Sequence, residues 1–505
     1  MAQATKIPEF VLHTGKTLVD NGFEAYLVGG CVRDVFFLNR EPEDWDLATN
    51  ATPEQMMQLF PNSVYENTFG TVIVKTIQDA DTVETQEMGR RLHKHNIEIT
   101  TFRTESAYSD KRHPDSIQFA KTIQEDVSRR DFTFDAFAVP FVMKKNEVGL
   151  GDILDLFGGI ADVKKKIIRA VGKPDERFSE DALRLVRAVR FATELGFAIE
   201  KDTGDAIIHN AHLLKEIAQE RIRDEFIKIV MSENAAQGMV QLEAFGLLQF
   251  IMPELRDGIR VSQNRHHVYS VWEHSIRTLD YAARQGYSLE VRLAALLHDV
   301  SKPKTKAGDG EFATFYGHER MGSRVAERAL ARLHFPAKLI ERVSHLVRYH
   351  MFYYNVGEVS EAGVRRFISR VGLEYLDDLI RVREADRIGS GVKKALPYKL
   401  RHLLFMIEKV RHDPVSPKML AVNGKTVMQE LGIEPGPRVG WILSELLDDA
   451  LSDPLKNDKE KLIARMRELH KLADKDLQRL AQKAKKQKEE FEQGVEQEMK
   501  GKYYV

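Results

Sequence analysis

The 505-residue sequence lacks the features that mark secreted, membrane-spanning and strongly basic proteins. Cys31 is its single cysteine, so an internal disulfide framework is excluded. Its apolar runs are shorter than the roughly 20 residues that a membrane helix needs. The first residues carry no continuous apolar segment of the signal-peptide kind, so we expect a cytoplasmic protein without a membrane partner. The net charge of -1 leaves only local patches for binding nucleic acid.

What the chain does contain is typical of a soluble globular protein, with 43% hydrophobic and 30% charged residues. At about 150 residues per domain, its length predicts three or four domains. Up to about Pro140, runs rich in β-branched and aromatic residues predict strands, namely AYLVGG, GTVIVKT, IEITTF and DAFAVPFV. From Lys164 onward the apolar spacing is helical, and we expect one helix over SEDALRLVRAVRFATEL, beginning near Ser179. The pattern predicts an α+β protein with a mixed head and an all-helical remainder.

Two alternating carboxylates follow a glycine turn in the segment YLVGGCVRDVFFLNREPEDWDLATN. Asp44 and Asp46 would share one face of a strand, where a hard divalent cation such as Mg²⁺ relieves their repulsion. The Gly29-Gly30 turn lets the backbone approach a triphosphate closely, and Arg33 would add positive charge there. A solvated acidic turn is the alternative interpretation of the carboxylate pair alone.

Four ordered motifs carry a resemblance to a known family. LVGGCVRD…DWDLAT resembles the head motif of the class II nucleotidyltransferase superfamily, which holds tRNA CCA-adding enzymes and bacterial poly(A) polymerases. DVSRRDFTFDAFAV, EDALRLVRAVRFA and ERIRDEFIKI are similar to its later motifs, and the C-terminal VNGKTVMQELGIEPGPRVGWILSELLDDALSDPLKN is similar to its tail region. The resemblance implies a polymerase β-like mixed-sheet head, catalysis by Asp44 and Asp46 with Mg²⁺, and binding of ATP, CTP and tRNA.

The resemblance also implies which residues line the nucleotide site. It assigns Arg129 and Arg130 to phosphate oxygens and Asp131 to a ribose hydroxyl or an arginine. It adds Arg187 and Arg190 to the same nucleotide-binding set. One position departs from the family, since Asp135 stands where the family usually has Asn, and an ionised Asp cannot donate a hydrogen bond. The role of this position is therefore open.

Choice of base is predicted for Asp181 and Arg184, three residues apart on the expected helix. A carboxylate accepting from an amino group and a guanidinium donating to a ring nitrogen match both cytosine and adenine, and the resemblance implies this role. A plain surface ion pair is the alternative. Glu98, in a strand-like run, is a possible third carboxylate near the metals, and an ordinary surface glutamate is an equal alternative.

The segment ITTFRTESAYSDKRHPDSIQF resembles the flexible loop of the family, which is implicated in the switch from C to A addition. Arg103 and Arg112 are its residues of interest. The loop argues against an enzyme that adds only C, but an A-adding enzyme and a poly(A) polymerase stay open. Poly(A) polymerases of the family carry a basic G-R-R-F-type segment where this chain has ENTFGTVIVKT, which favours the CCA-adding interpretation.

A second resemblance lies in the histidine-rich middle of the chain. His274, the pair His298-Asp299 and the distant Asp386 resemble the HD superfamily of metal-dependent phosphohydrolases. Such a ligand set suits Mn²⁺, Ni²⁺, Fe²⁺ or Mg²⁺. The resemblance implies hydrolysis of phosphate esters, for which 2′,3′-cyclic phosphates or phosphomonoesters at RNA ends are natural substrates.

Neighbouring residues extend this second site. His318, His345 and His350 are candidates for a second metal, and Lys302 for a phosphate contact. Ser301 replaces the glycine of the commoner H-D-x-G-K pattern, which adds bulk at a turn but removes no ligand.

Together these patterns predict a head at 1–160, a helical neck at 161–262, an HD domain at 263–392 and an RNA-binding helical body and tail at 393–505. The predicted function is CCA addition to tRNA, with a poly(A) polymerase or A-adding enzyme as the alternative within the class. An HD phosphohydrolase with an RNA-binding head, and a non-catalytic RNA-binding protein, are alternatives of other classes. The sequence leaves the oligomeric state open.

Overall fold

The computed structural model describes residues 7–65, 70–75, 96–105, 117–144, 147–264, 268–357, 359–411, 413 and 416–482. Its internal contacts divide the chain into two compact units, Met1–Ile251 and Met252–Val505. The first unit contains a mixed β-sheet and helices, and the second is helical. This arrangement confirms the predicted α+β fold, whereas the finer division into four domains stays a prediction.

The first unit is built on an eight-stranded sheet in the order β10-β8-β1-β2-β5-β4-β3, with β9 paired to β8. Strand β2 is parallel to β5, and the other pairs of this sheet are antiparallel. The strands of this unit are β1 (Ala25–Val28), β2 (Trp45–Thr49), β3 (Ser63–Tyr65), β4 (Thr71–Lys75), β5 (Asn96–Thr101), β6 (Arg103–Glu105), β7 (Ile117–Phe119), β8 (Phe137–Lys144), β9 (Glu147–Leu150), β10 (Leu154–Asp155), β11 (Ile167–Ile168) and β12 (Ala198–Ile199).

Helices cover this sheet and continue the chain beyond it. Their sequence is α1 (Glu9–Asp20), α2 (Gly30–Arg33), α3 (Pro53–Leu59), α4 (Ile123–Ser128), α5 (Gly159–Lys165), α6 (Pro174–Glu180), α7 (Leu183–Leu195), α8 (Lys201–Asn210), α9 (Gln219–Met231), α10 (Ala235–Ala244) and α11 (Leu248–Ile251). Fully buried apolar residues such as Leu27, Leu47, Ile97 and Ile99 alternate along the central strands, as expected for one face of a sheet packed on a core.

The single helix expected from Ser179 onward is wrong. Helix α6 ends at Glu180, and α7 begins at Leu183. Asp181 between them has extended dihedrals of φ -139 and ψ 105, and its Oδ1 accepts a hydrogen bond from the Leu183 N–H at 3.0 Å. Aspartate competes with the helical backbone through such short-range hydrogen bonds, so it favours helix starts over helix interiors.

The second unit consists of helices α12 (Val271–Arg284), α13 (Leu289–Leu297), α14 (Lys302–Thr305), α15 (His318–Arg332), α16 (Ala337–Tyr349), α17 (Glu361–Val371), α18 (Leu373–Gly389), α19 (Tyr398–Val410), α20 (Gly424–Leu431), α21 (Pro437–Ser452) and α22 (Lys459–His470). Helix α12 begins at a capping box, in which Ser270 and Glu273 each satisfy the other's backbone N–H. Helices α12, α13, α15, α16 and α18 pack on one another around buried leucines, alanines and histidines.

The C-terminal part of this unit has its own small core. Val427, Ile442, Leu446, Leu462 and Met466 join α20, α21 and α22 in one buried cluster. The charged C-terminal helix expected from the sequence lies largely outside the described residues, as does most of the Lys-rich run AQKAKKQK. Within the described part of the chain, each helix is too short or too polar to cross a membrane.

Candidate active site and candidate metal centre

The glycine turn lies where β1 ends and α2 begins, directly against a carboxylate and a guanidinium. Gly29 has a φ of 77°, and a Cβ placed on it would lie 2.6 Å from Arg130 Nη1 and 3.4 Å from Asp46 Oδ2. The dihedral favours glycine, and any side chain at this position would also have to move the Arg130 guanidinium. The Gly29 N–H donates to the Phe137 carbonyl at 3.3 Å, so this amide anchors the turn on β8 instead of facing an anion. The turn therefore brings backbone, Asp46 and Arg130 to one place.

Of the two carboxylates expected on one face of a strand, the structure places Asp46 in β2 and Asp44 just before it. Asp44 precedes β2 and is exposed, Trp45 is 3% exposed, and Asp46 is half-buried in the strand. Burial raises the pKa of Asp46 to about 6, opposed by Arg130 and reinforced by the charge of Asp44. The parallel register places Glu98 of β5 opposite Asp46, on the same face of the sheet. Carboxylates crowded in this way fit a hard divalent cation.

Arg33 has a different role from the one expected. Its side chain is buried, with Nε 2.8 Å from Asp34 Oδ1 and Nη1 2.7 Å from Asp135 Oδ1. The guanidinium thus faces two carboxylates of its own unit, and the expected contact with a triphosphate does not match this placement. Burial raises the pKa of Asp135, while Arg33 opposes the rise. Asp135, the departure from the family, is therefore the second carboxylate partner of a buried arginine.

The two arginines that follow α4 are held by a residue that the sequence reasoning missed. Asp126 is 1% exposed; its Oδ1 lies 2.9 Å from Arg129 Nη2, and its Oδ2 lies 3.9 Å from Arg130 Nη2. Burial alone would raise the pKa of Asp126, but Arg129 and Arg130 outweigh it and lower the pKa. The sequence did contain a signal for these contacts, because Asp126 lies three residues before Arg129 and four before Arg130, which is the spacing of neighbours on a helix.

A chain of ion pairs extends from Asp131 into the helices. Arg187 Nε lies 2.7 Å from Asp131 Oδ2, and its Nη1 lies 3.6 Å from Glu225 Oε1. The other oxygen of Glu225, Oε2, lies 2.7 Å from Arg190 Nε. Burial would raise the pKa of Asp131, but Arg187, Arg184 and Arg190 lower it. Glu225 belongs to the motif ERIRDEFIKI and was not singled out from the sequence.

The structure does not bring Asp181 and Arg184 together as a pair. Asp181 Oδ2 lies 2.8 Å from Arg221 Nη2, while Arg184 Nη1 lies 2.6 Å from Glu180 Oε2 and donates to the Arg177 carbonyl at 3.0 Å. Each residue thus has a partner other than its expected neighbour, because the helix is broken between them. Reading of a base by these two residues stays a prediction.

The predicted flexible loop is described only at its ends. Arg103 lies in β6, and its backbone N–H donates to Asp126 Oδ1 at 3.3 Å. Arg112 lies outside the described residues.

In the second unit, the four HD-type residues converge in a buried cluster. His274 of α12, the His298-Asp299 pair after α13 and Asp386 of α18 supply it. His274 Nε2 lies 3.0 Å from His298 Nε2, 3.3 Å from Asp299 Oδ2 and 3.3 Å from Asp386 Oδ1. Four ligand atoms so close together are suited to one divalent metal ion.

A second group of ligand atoms meets the other oxygen of Asp299. His318 Nε2 lies 3.4 Å from Asp299 Oδ1, His350 Nε2 lies 3.8 Å from the same oxygen, and the two Nε2 atoms are 3.4 Å apart. Asp299 could therefore bridge two metal ions, one on each oxygen. His345 is not part of either group, because its Nε2 binds the Val371 carbonyl at 2.6 Å and its ring stacks on Tyr375.

The orientation of the imidazoles suits metal binding. In His298, His318 and His350 the Nδ1 atom lies 2.7–2.8 Å from the carbonyl three residues earlier. A carbonyl only accepts, so Nδ1–H donates and the Nε2 lone pair faces the cluster. Burial is the main cause that lowers the pKa of His350 well below its usual range. The ring is thereby kept neutral, as a ligand must be.

Two further residues, Lys302 and Ser301, contact residues of the cluster. Lys302 Nζ lies 2.7 Å from Asp299 Oδ2 and donates to Gln263 Oε1 at 2.7 Å. Ser301 is fully buried, and its hydroxyl donates to the His318 carbonyl at 2.6 Å. The serine that replaces the expected glycine thus links two ligand-bearing segments. A cavity of about 830 Å³ adjoins the cluster.

These geometries match one class of protein: a nucleotidyltransferase with a carboxylate pair at one strand of a mixed sheet, joined in one chain to an HD-type helical domain with candidate metal ligands. Family models agree with both parts. The model described as "Poly A polymerase head domain" matches residues 25–169, "Probable RNA and SrmB- binding site of polymerase A" matches 196–259, and "HD domain" matches 271–389.

Individual relatives narrow the class further. The CCA-adding enzyme of Levilactobacillus brevis is 32% identical over 451 residues, covering 89% of this chain and 95% of that protein. The CCA-adding enzyme of Ligilactobacillus salivarius is 33% identical, with 89% and 93% covered. The crystal structure of the Bacillus stearothermophilus CCA-adding enzyme in complex with CTP is similar with a TM-score of 0.64 and 28% identity, covering 92% of this chain and 98% of that chain. The chain belongs to the CCA-adding enzyme family.

Proposed function

We propose that this protein adds C, C and A from CTP and ATP to the 3′ end of tRNA without a template. The observation that carries the proposal is the juxtaposition of Asp46, Arg130 and the Gly29 turn. Membership of the CCA-adding enzyme family supports it, and the relatives named above carry that name rather than poly(A) polymerase. A cytoplasmic location and the absence of a membrane partner are consistent parts of the proposal.

In the head, Asp44 and Asp46 would hold Mg²⁺, with Glu98 opposite Asp46 on the neighbouring strand. When bound, Mg²⁺ lowers the pKa of the primer 3′-hydroxyl and stabilises the leaving pyrophosphate. The bare backbone at Gly29 leaves room for the triphosphate, and Arg130 supplies positive charge beside it. Asp126 fixes the direction of Arg130 and Arg129, so their positions are set before the nucleotide enters.

Base choice in this proposal requires an exchange of partners. Arg184 now binds Glu180, and Asp181 binds Arg221. Both partners are partly exposed, so an entering cytosine or adenine can replace them at modest cost. Guanine and uracil would leave the carboxylate and the guanidinium without matching groups.

The direct test incubates the purified protein with tRNA ending before CCA, supplying CTP, ATP or both, and sequences the products. CCA formed from both nucleotides is the expected result. Addition of A alone to tRNA ending in CC would identify an A-adding enzyme instead, and long A tails on unrelated RNA would identify a poly(A) polymerase. Asp46→Asn should abolish addition, and the exposed Asp205→Asn on α8 is the matched control.

The second unit carries a second activity in this proposal, the hydrolysis of phosphate esters at RNA ends. The two ligand groups that share Asp299 favour it. These residues would hold divalent ions, drawn from Mn²⁺, Ni²⁺, Fe²⁺ and Mg²⁺, which would supply an activated water for attack on a phosphate ester. Lys302 lines the adjoining cavity and is positioned to contact the phosphate. The test is phosphate release from RNA that ends in a 3′-phosphate or a 2′,3′-cyclic phosphate, with each metal supplied separately.

A further inference from the structure

The cavity beside the metal cluster is lined by an excess of positive charge. Seven lysines and arginines line it, against three carboxylates. Lys302 and Arg383 each lie 2.7 Å from a carboxylate of the cluster, Asp299 and Asp386 respectively. The five other lysines and arginines outnumber the one remaining carboxylate, Glu319. The net positive charge of the cavity wall therefore suits a ligand with more than one phosphate group.

Aromatic side chains stand where this cavity opens to solvent. Tyr316 and Tyr398 both line the cavity, yet they are 47% and 62% exposed. At 62% exposure, the Tyr398 ring presents surface to a flat ligand such as a nucleobase.

The aromatic surface continues along α19, away from the cavity. Tyr398, His402 and Phe405 are spaced four and three residues apart, so they share one face of the helix. The ring centroids of successive members lie 5.9 and 6.0 Å apart, and Phe405 is 62% exposed. At 1.5 Å per residue, Tyr398 and Phe405 are about 10 Å apart along the axis, which is roughly three stacked bases. We call these three residues the α19 aromatic face.

We infer that the α19 aromatic face binds the single-stranded 3′ end of an RNA substrate and directs it into the cavity. Bases stack on Tyr398 and Phe405, phosphates face the cationic wall, and the terminal phosphate reaches the cluster around Asp299. Stacking combined with a positively charged groove is how proteins hold single strands without reading their sequence. The inference rests on the proposed hydrolysis, and it specifies a substrate of several nucleotides rather than a free mononucleotide.

The test compares two substrates with the full-length protein loaded with divalent metal. One is a 3′-phosphorylated mononucleotide, and the other is a single-stranded RNA tetranucleotide with the same 3′-phosphate. The measured quantity is the ratio of kcat/KM for the tetranucleotide to that for the mononucleotide. We expect a ratio well above one, and a decrease of about tenfold in Phe405→Ala, corresponding to one lost stacking contact. Phe405→Tyr keeps a ring and should restore the ratio.

Phe312→Ala is the matched control, because Phe312 is 61% exposed in the same unit but does not line the cavity or belong to the α19 aromatic face. This variant should leave the ratio unchanged. A wild-type ratio near one, or an unchanged ratio in Phe405→Ala, would overturn the inference and leave the proposed hydrolysis standing. No phosphate release from either substrate with Mn²⁺, Ni²⁺, Fe²⁺ or Mg²⁺ would overturn the hydrolysis and the inference together.

Discussion

Single residues decide how closely charged groups approach in the head. Gly29 is the clearest case, because its φ of 77° strains any other residue and a Cβ there would also have to displace the end of the Arg130 side chain. Gly22 has a similar φ of 84°, but a Cβ placed on it would meet no heavy atom of the described residues within 4 Å. Substitution of Gly22 therefore tests backbone strain alone, whereas substitution of Gly29 tests strain together with crowding of the site.

We expect Gly29→Ala to lose nucleotide addition, because the methyl group must displace Arg130 from beside Asp46. The measurement is steady-state incorporation of CTP, together with thermal unfolding. Gly22→Ala, which bears the dihedral strain alone, should cost about 1 kcal/mol of stability and keep its activity. Equal activity losses in the two variants would contradict the crowding explanation.

A second prediction at this scale concerns Asp131, whose carboxylate meets the Arg187 guanidinium at 2.7 Å. Asp131→Asn should lower the free energy of unfolding by about 2–3 kcal/mol, since the buried arginine loses its charged partner. The native pKa of Asp131 lies below the ordinary value of 3.8, so the stabilisation is full above that pH and is lost as the pH falls through the lowered native pKa. Denaturant unfolding at pH 7 and below pH 4 measures this.

The difference between wild type and Asp131→Asn should therefore shrink in acid. Asp205→Asn, an exposed change on α8, should show little difference at either pH. A wild-type advantage that stays constant to low pH would mean that packing, and not the ion pair, stabilises this position.

At the scale of elements, the ligands of the candidate metal centre come from five helical segments. Helix α12 supplies His274, the end of α13 supplies His298 and Asp299, and α18 supplies Asp386. Helix α15 and the end of α16 supply the second histidine pair. Because each helix contributes one or two ligands, metal binding and packing of these helices should stabilise each other.

We expect two tightly held divalent ions in this unit after dialysis against Mn²⁺ or Ni²⁺. His318→Ala should reduce the count to about one and lower the thermal midpoint of the metal-loaded protein, because the group at Asp299 Oδ1 loses a ligand. His345→Ala removes a histidine of α16 outside both groups, so it should keep two ions. Elemental analysis gives the count, and two ions retained in His318→Ala would refute a second metal at this place.

At the scale of the whole molecule, the two candidate sites lie in different compact units of the chain. The residues of the candidate nucleotide site lie in Met1–Ile251, and those of the candidate metal centre and its cavity lie in Met252–Val505. Among the described residues, the side chains assigned to the candidate nucleotide site all come from the first unit, and the candidate metal ligands all come from the second.

We therefore expect the two activities to be separable by mutation. Asp44→Ala with Asp46→Ala should abolish nucleotide addition and keep phosphate release from RNA ends. His298→Ala should do the opposite, because it removes a metal ligand of the second unit. Both assays are run on the same preparations, with circular dichroism as the control for folding. Loss of addition in His298→Ala would show that the units depend on each other.

Local sequence patterns were enough to predict the strand-rich head and the helical remainder. The glycine turn indicated a close approach of the backbone to charged groups, which the structure has at Gly29. These features depend on local geometry, which a short stretch of sequence already encodes. The four HD-type residues, spread from His274 to Asp386, were identified instead by their resemblance to the HD superfamily, because no local pattern joins positions so far apart.

Which charges face each other depends instead on the packing of distant segments. Arg33 pairs with Asp135, 102 positions away, and Arg187 shares Glu225 with Arg190. Asp181 stands between two helices instead of inside one, and its partner Arg221 comes from a helix further along the chain. His345 and His350 lie five residues apart, and only the packing around α16 directs one of them to Asp299. Long-range pairing and burial are set by the fold as a whole, so no local pattern reveals them.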